Sequence, residues 1–201
     1  MAPDGAAAQA PIRTESELHA RNLWAGGRLL AAAMAFVFIA FVFAFYYLRE
    51  LNIQGKWRPD DVHPPLTFGL AILACVLAST LVYWLATRNL RVLDYRWLWP
   101  VAAALALALA TLVLIGFEIP DAGFRPTDGA YASVFFAWTG FYAAAVFGGA
   151  FYMETLVARG LRVRTEADPV ILTAEVDAFG IYWYFVALMT ILMFVLLYVV
   201  A

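Results

Sequence analysis

Five stretches of this chain run 20 or more residues without Asp, Glu, Lys or Arg: Leu29–Leu48, Val62–Thr87, Trp97–Phe117, Gly129–Met153 and Ala178–Ala201. A helix needs about 20 apolar residues to cross the hydrocarbon core of a bilayer. All 13 basic and 15 acidic side chains fall outside these windows. Lipid offers no partner for backbone N–H and C=O groups, so each window must satisfy them internally, and five windows mean five helices. The expected class is an all-α integral membrane protein, a five-transmembrane-helix bundle.

Composition agrees. Hydrophobic residues make up 65% of the 201 and charged residues only 14%, against roughly 45–50% apolar in a soluble domain. The net charge of −2 argues against a nucleic-acid partner, and no basic run suggests one. Cys75, the one cysteine, lies inside the second span and reads as a small core residue. Residues 1–25 read as a polar cytoplasmic tail. Asp4, Arg13, Glu15, Glu17 and Arg21 leave no apolar run there for a signal peptide. Residues 26–201 form the transmembrane domain.

The connections carry turn formers. Pro64 and Pro65 open the second span, Asn89, Asp94 and Pro100 mark the next link, and Ile119–Asp128 is rich in Pro, Gly and Asp. Gly160 and Pro169 punctuate the last link. Trp57, Trp97, Trp99, Tyr131 and Tyr198 stand near span ends, where interfacial anchors belong. Alternate connections place nine Lys and Arg on one side and four on the other. The positive-inside rule then puts the N-terminus inside and the C-terminus outside.

Helices in lipid gain little from burying apolar surface against each other, so close backbone approach matters more. Gly140, Ala144 and Gly148 form a small-residue stripe at helical spacing, widened by Ala145 and Gly149, and this face is expected to pack on another helix. The third span alternates Ala and Leu from Ala102 to Ala110 and reads as filler or lipid-facing.

Histidine bounds the chemistry. Only His19 and His63 occur, the first in the tail and the second at the outer end of span two, and neither lies in the interior of a span. Heme, copper and zinc sites commonly use His, so a redox metal inside this chain is not expected. Neither a Ser-His-Asp set nor a phosphate-binding Gly-rich loop is present. No carboxylate stands mid-span. Glu118, Glu154 and Asp177 are placed at span ends, at headgroup depth, as solvated ends or as contacts to a lipid headgroup or a partner. Hydroxyls inside the spans, among them Ser79, Tyr83, Tyr142, Tyr182 and Thr190, are expected to bond carbonyls or a neighbouring helix. This inventory suits a structural or interaction protein better than a catalyst.

The run Asp128-Gly129-Ala130-Tyr131-Ala132-Ser133-Val134-Phe135-Phe136-Ala137-Trp138-Thr139-Gly140-Phe141 resembles the signature of subunit III of heme-copper cytochrome c oxidases. Tyr182-Trp183-Tyr184-Phe185-Val186 is similar to that family's Tyr-Trp-His-Phe-Val, and Phe43-Ala44-Phe45-Tyr46 to its aromatic first helix. Glu118 matches an acidic family position, and Asp177 lies where the family usually has Glu. Departures are systematic: Met34 stands in place of a mid-helix Glu, Tyr142, Ala145 and Tyr184 in place of His, and Ala187 in place of Asp.

The resemblance implies a divergent member of the short, five-helix bacterial form. It implies a multi-pass protein of the bacterial plasma membrane, not catalytic by itself, that packs against oxidase subunits I and II and binds phospholipid. Hemes and copper would reside in those partners, and this chain would hold no cofactor of its own. Lipid or partner contacts are expected at Glu118, Asp177, Tyr142, Tyr184, Trp138 and Arg159. The alternative is an accessory or assembly protein of an atypical heme-copper oxidase or of a nitric oxide reductase.

Overall fold

The computed structural model describes residues 15–52, 57–59, 62–91, 95–162 and 169–201. Five long helices account for nearly all of them: α1 (Glu15–Leu51), α2 (Leu66–Arg91), α3 (Leu98–Asp121), α4 (Ala130–Arg162) and α5 (Pro169–Phe194). A short 3₁₀ turn, Tyr95–Trp97, leads into α3, and a π-helical turn, Val195–Val200, continues α5. Each of the five is long and apolar enough to cross a membrane. The all-α bundle expected from the charge-free windows is the fold.

The helices close into a ring in the order α1, α5, α2, α3, α4, with α4 also touching α5. α1 is peripheral: Phe38 and Phe45 are its buried residues, while Leu29, Phe36, Ile39, Phe43 and Tyr47 are exposed. Buried aromatic side chains of α4 and α5 fill the interior, Tyr131, Phe135, Trp138 and Tyr142 from one and Trp183 from the other.

Several expectations are corrected. The helices outrun the apolar windows, because turns beyond the hydrocarbon can carry polar residues. α1 starts at Glu15, so the stretch read as a tail is helical from residue 15, with Glu15 and Glu17 in its first turn where acids complement the helix dipole. Residues 1–14 lie outside the described residues. Gly160 does not break α4. A Cβ there would stand 2.7 Å from Leu98 Cδ1, so this glycine is where the 3₁₀ turn and the start of α3 press on α4. Trp57, Trp97 and Tyr131 are buried in the bundle and are not interfacial anchors; Trp99 is fully turned outward.

α3 is not filler. Val101, Ala104, Ala108, Thr111, Ile115 and Glu118 form one buried stripe, while Leu109, Val113 and Phe117 face out. Its small residues let α2 and α3 meet closely enough for Ser79 Oγ to donate to the Ala104 carbonyl at 2.8 Å.

Within the chain, only one edge of the small-residue stripe on α4 makes a close contact. Gly140, Ala144 and Gly148 are exposed in the chain, and a Cβ at Gly140 would meet nothing within 4 Å. The close approach is one residue further round, at Ala145 and Gly149. A Cβ on Gly149 would come within 2.5 Å of Trp183 Cζ3. On the other side of α5, Gly27 of α1 meets backbone directly, 2.5 Å from the Ala178 carbonyl oxygen to a built Cβ.

Candidate functional site

The Asp128–Phe141 run builds the entry to α4. Asp128 Oδ2 accepts from the Arg125 backbone N–H at 2.6 Å, and the Asp128 N–H returns a bond to the Arg125 carbonyl at 3.0 Å. Gly129 has φ +133°, a backbone conformation that disfavours any side chain. Ser133 Oγ donates to the Pro126 carbonyl at 2.6 Å and ties the turn to the first helical turn. Phe135 and Phe136 both pack edge-on against Phe124 of the preceding loop, at 5.4 and 5.5 Å. Trp138 stacks on Phe41 of α1 at 5.7 Å. Asp128, Ser133, Phe135, Phe136 and Trp138 of the run therefore each have a packing or hydrogen-bonding task, whereas the buried Thr139 hydroxyl has no partner among the described residues.

At the same end, the C-terminal end of α5, four elements converge. Tyr131 Oη donates to the Leu197 carbonyl at 2.6 Å, and the Tyr131 N–H donates to the Trp57 carbonyl at 2.9 Å. Trp57 stands edge-on between Phe45 and Tyr131, at 5.2 and 5.8 Å. Arg58 Nε donates to the Val62 carbonyl at 2.8 Å, and its Nη atoms reach Ala201 O and His63 Nδ1. Glu118 corrects the expectation of a solvated end: it is fully buried in the last turns of α3. Tyr198 Oη donates to its Oε1, and its Oε2 has no partner among the described residues.

The middle of the bundle is joined by hydroxyls, as the sequence led us to expect. Tyr142 Oη and Thr190 Oγ1 share a bond of 2.8 Å between α4 and α5, and Thr190 also donates to the Val186 carbonyl. Tyr182 Oη donates to the Ala145 carbonyl at 2.7 Å. Tyr83 Oη donates from α2 to the Val176 carbonyl at 2.8 Å. Tyr142 is thus a fully buried cross-link, and Trp138 is core.

The opposite end holds two grooves beside α1. One, about 430 Å³, is lined by Trp24, Trp84, Thr87, Arg88, Asp177, Ile181 and Tyr184. Arg88 lies over the Trp84 ring at 5.4 Å and Arg28 over the Trp24 ring at 3.7 Å. The other, about 360 Å³, runs from His19 and Asn22 past Gly26 and Gly27 to Tyr152, Phe179 and Tyr182. Its floor is the stacked pair Tyr152–Phe179, 4.9 Å apart.

The structure therefore brings Asp177 and Tyr184 together, in the first groove. It leaves Glu118 at the far end and Trp138 and Tyr142 in the core. Arg159 pairs with Glu175 at 2.6 Å, bridging α4 and α5. Glu175 is a buried carboxylate that the sequence reading passed over. It stands two residues before Asp177, which is about 200° round an α-helix. The two acids therefore leave α5 on nearly opposite faces, and only packing tells which one turns toward α4. Among the described residues, no three His, Cys, Asp or Glu side chains come together as a metal-binding group.

No family model matches the chain. Curated proteins do. It is 26% identical over 200 residues to "Cytochrome c oxidase subunit 3" of Corynebacterium diphtheriae, covering 94% of this chain and 93% of that protein. The chain is a divergent relative of cytochrome c oxidase subunit 3. It is 28% identical over 167 residues to the protein of that name from Pylaiella littoralis and 27% over 167 residues to that from Sus scrofa, each match covering 80% of this chain. Those two are longer, and the match spans 60% and 63% of their lengths. The bacterial match runs almost end to end, which agrees with the short bacterial form that the five-span count suits.

Proposed function

We propose that this chain is the non-redox subunit III of an aerobic respiratory cytochrome c oxidase in a bacterial plasma membrane, with its N-terminus inside and its C-terminus outside. It packs against the catalytic subunit I, adjoins subunit II, and binds phospholipid. Oxygen reduction and proton pumping occur in the partners, which carry the hemes and copper. This chain has no cofactor of its own and stabilises the assembly during turnover.

The observation that carries this reading is the near end-to-end match to a bacterial protein named as cytochrome c oxidase subunit 3. Two structural features support it. Tyr83, Tyr131, Tyr142 and Tyr182 each bond from one helix to another, as suits a scaffold. The grooves beside α1 join an apolar floor to Arg, Asp, His and Asn side chains, the combination that an inner-leaflet phospholipid requires. An arginine lying over a tryptophan is suited to snorkel toward a phosphate.

The test is purification from native membranes in mild detergent, with optical spectra and identification of the co-purifying chains. A heme-bearing catalytic subunit in equal amount is expected. Recovery of this chain without such a partner, or with tightly held iron of its own, overturns the reading. Arg88→Ala and Trp84→Ala should lower the phospholipid retained by the purified complex; unchanged lipid content removes that part of the proposal.

A further inference from the structure

The end of α5 changes register. Pro169–Phe194 is α-helical, whereas Val195–Val200 is π-helical. Its sequence, Val-Leu-Leu-Tyr-Val-Val, contains neither Gly nor Pro. π turns are rare and occur mostly as single turns within α-helices. Side chains from several other elements grip the segment. Glu118 of α3 takes the Tyr198 hydroxyl, and Tyr131 of α4 donates to the Leu197 carbonyl. Arg58, from the connection between α1 and α2, donates to Ala201 O. Gly69 of α2 makes the room: a Cβ there would stand 2.6 Å from Tyr198 Cε1. The Tyr198 ring is then held by stacking on Phe194 at 5.3 Å and by the edge contact with Phe135 at 6.1 Å.

We infer that Val195–Val200 is a two-register element, held in the π form by this grip and returning to the α form when Tyr198 and Leu197 are released. The Leu197 carbonyl is the hinge of the exchange. In α register it would accept the Ala201 N–H four residues on; in the structure it accepts from Tyr131 instead. A π turn bonds one residue further along the chain than an α turn. Changing register therefore rotates the residues beyond Phe194 by about one residue's step, roughly 100°. On a Cα cylinder of about 2.3 Å radius that displaces each Cα by about 3.5 Å. Leu196 and Leu197 are now buried and Val195 and Val199 exposed; the rotation changes which of them meets the surroundings. The surface at this end of the bundle is thus set by an acceptor on α3 and a donor on α4, not by α5 alone.

The test uses the full chain with Cys75→Ser, in phospholipid nanodiscs, carrying nitroxide labels at Val113→Cys and Val199→Cys, two exposed positions. Distances are read by pulsed electron paramagnetic resonance. The parent and Glu118→Gln, whose amide oxygen still accepts from Tyr198, should give one narrow distance. Tyr131→Phe combined with Tyr198→Phe should give a second, discrete distance displaced by a few Å, on the scale of that Cα shift. Gly69→Ala keeps both hydroxyls but drives the ring away, and should give the same displaced distance. A parent-like distribution in the double variant overturns the inference. So does simple broadening, which signals fraying without a second register. Should the double variant not fold, Gly69→Ala decides by the same two outcomes.

Discussion

Gly149 of α4 lies flat against the indole of Trp183 of α5: a single added carbon would sit 2.5 Å from Cζ3 and 2.8 Å from Cε3. Trp183 is fully buried, so it cannot swing away cheaply. Gly149→Ala should destabilise the chain by about 1–3 kcal/mol, the usual cost of overpacking a filled core. The measurement is the unfolding midpoint in detergent micelles. Trp183→Phe in the same background should recover part of the loss, because the smaller ring vacates the clash.

Gly26 and Gly27 are neighbours with opposite tasks. A Cβ at Gly27 meets the Ala178 carbonyl at 2.5 Å, whereas at Gly26 nothing lies within 4 Å. Gly27→Ala must push α1 off α5 and should lower stability clearly. Gly26→Ala should be neutral or stabilising by up to about 1 kcal/mol, the helix-propensity gain over glycine. A paired thermal-melt comparison checks the sign of each.

Tyr142 and Thr190 are each other's partner inside the core, and Thr190 keeps a second acceptor at Val186. Tyr142→Phe should therefore cost only about 0.6–2 kcal/mol. Thr190→Val alone should cost a similar amount, and a double-mutant cycle should return a coupling of roughly 0.6 kcal/mol, typical of hydrogen bonds between membrane helices.

The Arg159–Glu175 pair is asymmetric. The arginine side chain is 61% exposed and the glutamate side chain 11%. Removing Glu175 leaves a cation that water can solvate, so Glu175→Gln should cost no more than about 1 kcal/mol. Removing Arg159 strands a buried carboxylate. Arg159→Ala should be the more damaging of the two. Melts of both variants at low and high salt check the order, and the salt dependence of the parent should shrink in each.

Much of this was legible in the sequence because lipid leaves so few choices. Charge-free windows of sufficient length can only be spans, and a span must be a helix. The count of five, the all-α class and the kinship carried by the Asp128–Phe141 run all follow from residues read in a line. Gly129 is readable too, since a turn entering a helix favours a residue that tolerates positive φ.

Facing is where the reading failed, and the reason is physical. In lipid both faces of a helix are apolar, so hydropathy does not mark the inner one. Of the small-residue stripe on α4, Gly149 makes the close contact inside the chain, while Gly140, Ala144 and Gly148 face outward. Ala104 and Ala108 looked like filler and are buried, Ala104 accepting a hydrogen bond from Ser79 of α2. Glu118 looked like a solvated helix end and is sealed beneath Tyr198. Glu175 and Asp177 are chemically alike and two positions apart, and only the packing of α5 sends one to Arg159 and the other to the groove beside Trp84. The sequence by itself determined that this chain lives in a bilayer as five helices, because an unsatisfied backbone in hydrocarbon is too costly for any other arrangement. Tertiary structure alone decided which faces touch and which acids are buried, because helix contact in a membrane is set by shape and hydrogen bonding, not by greasiness.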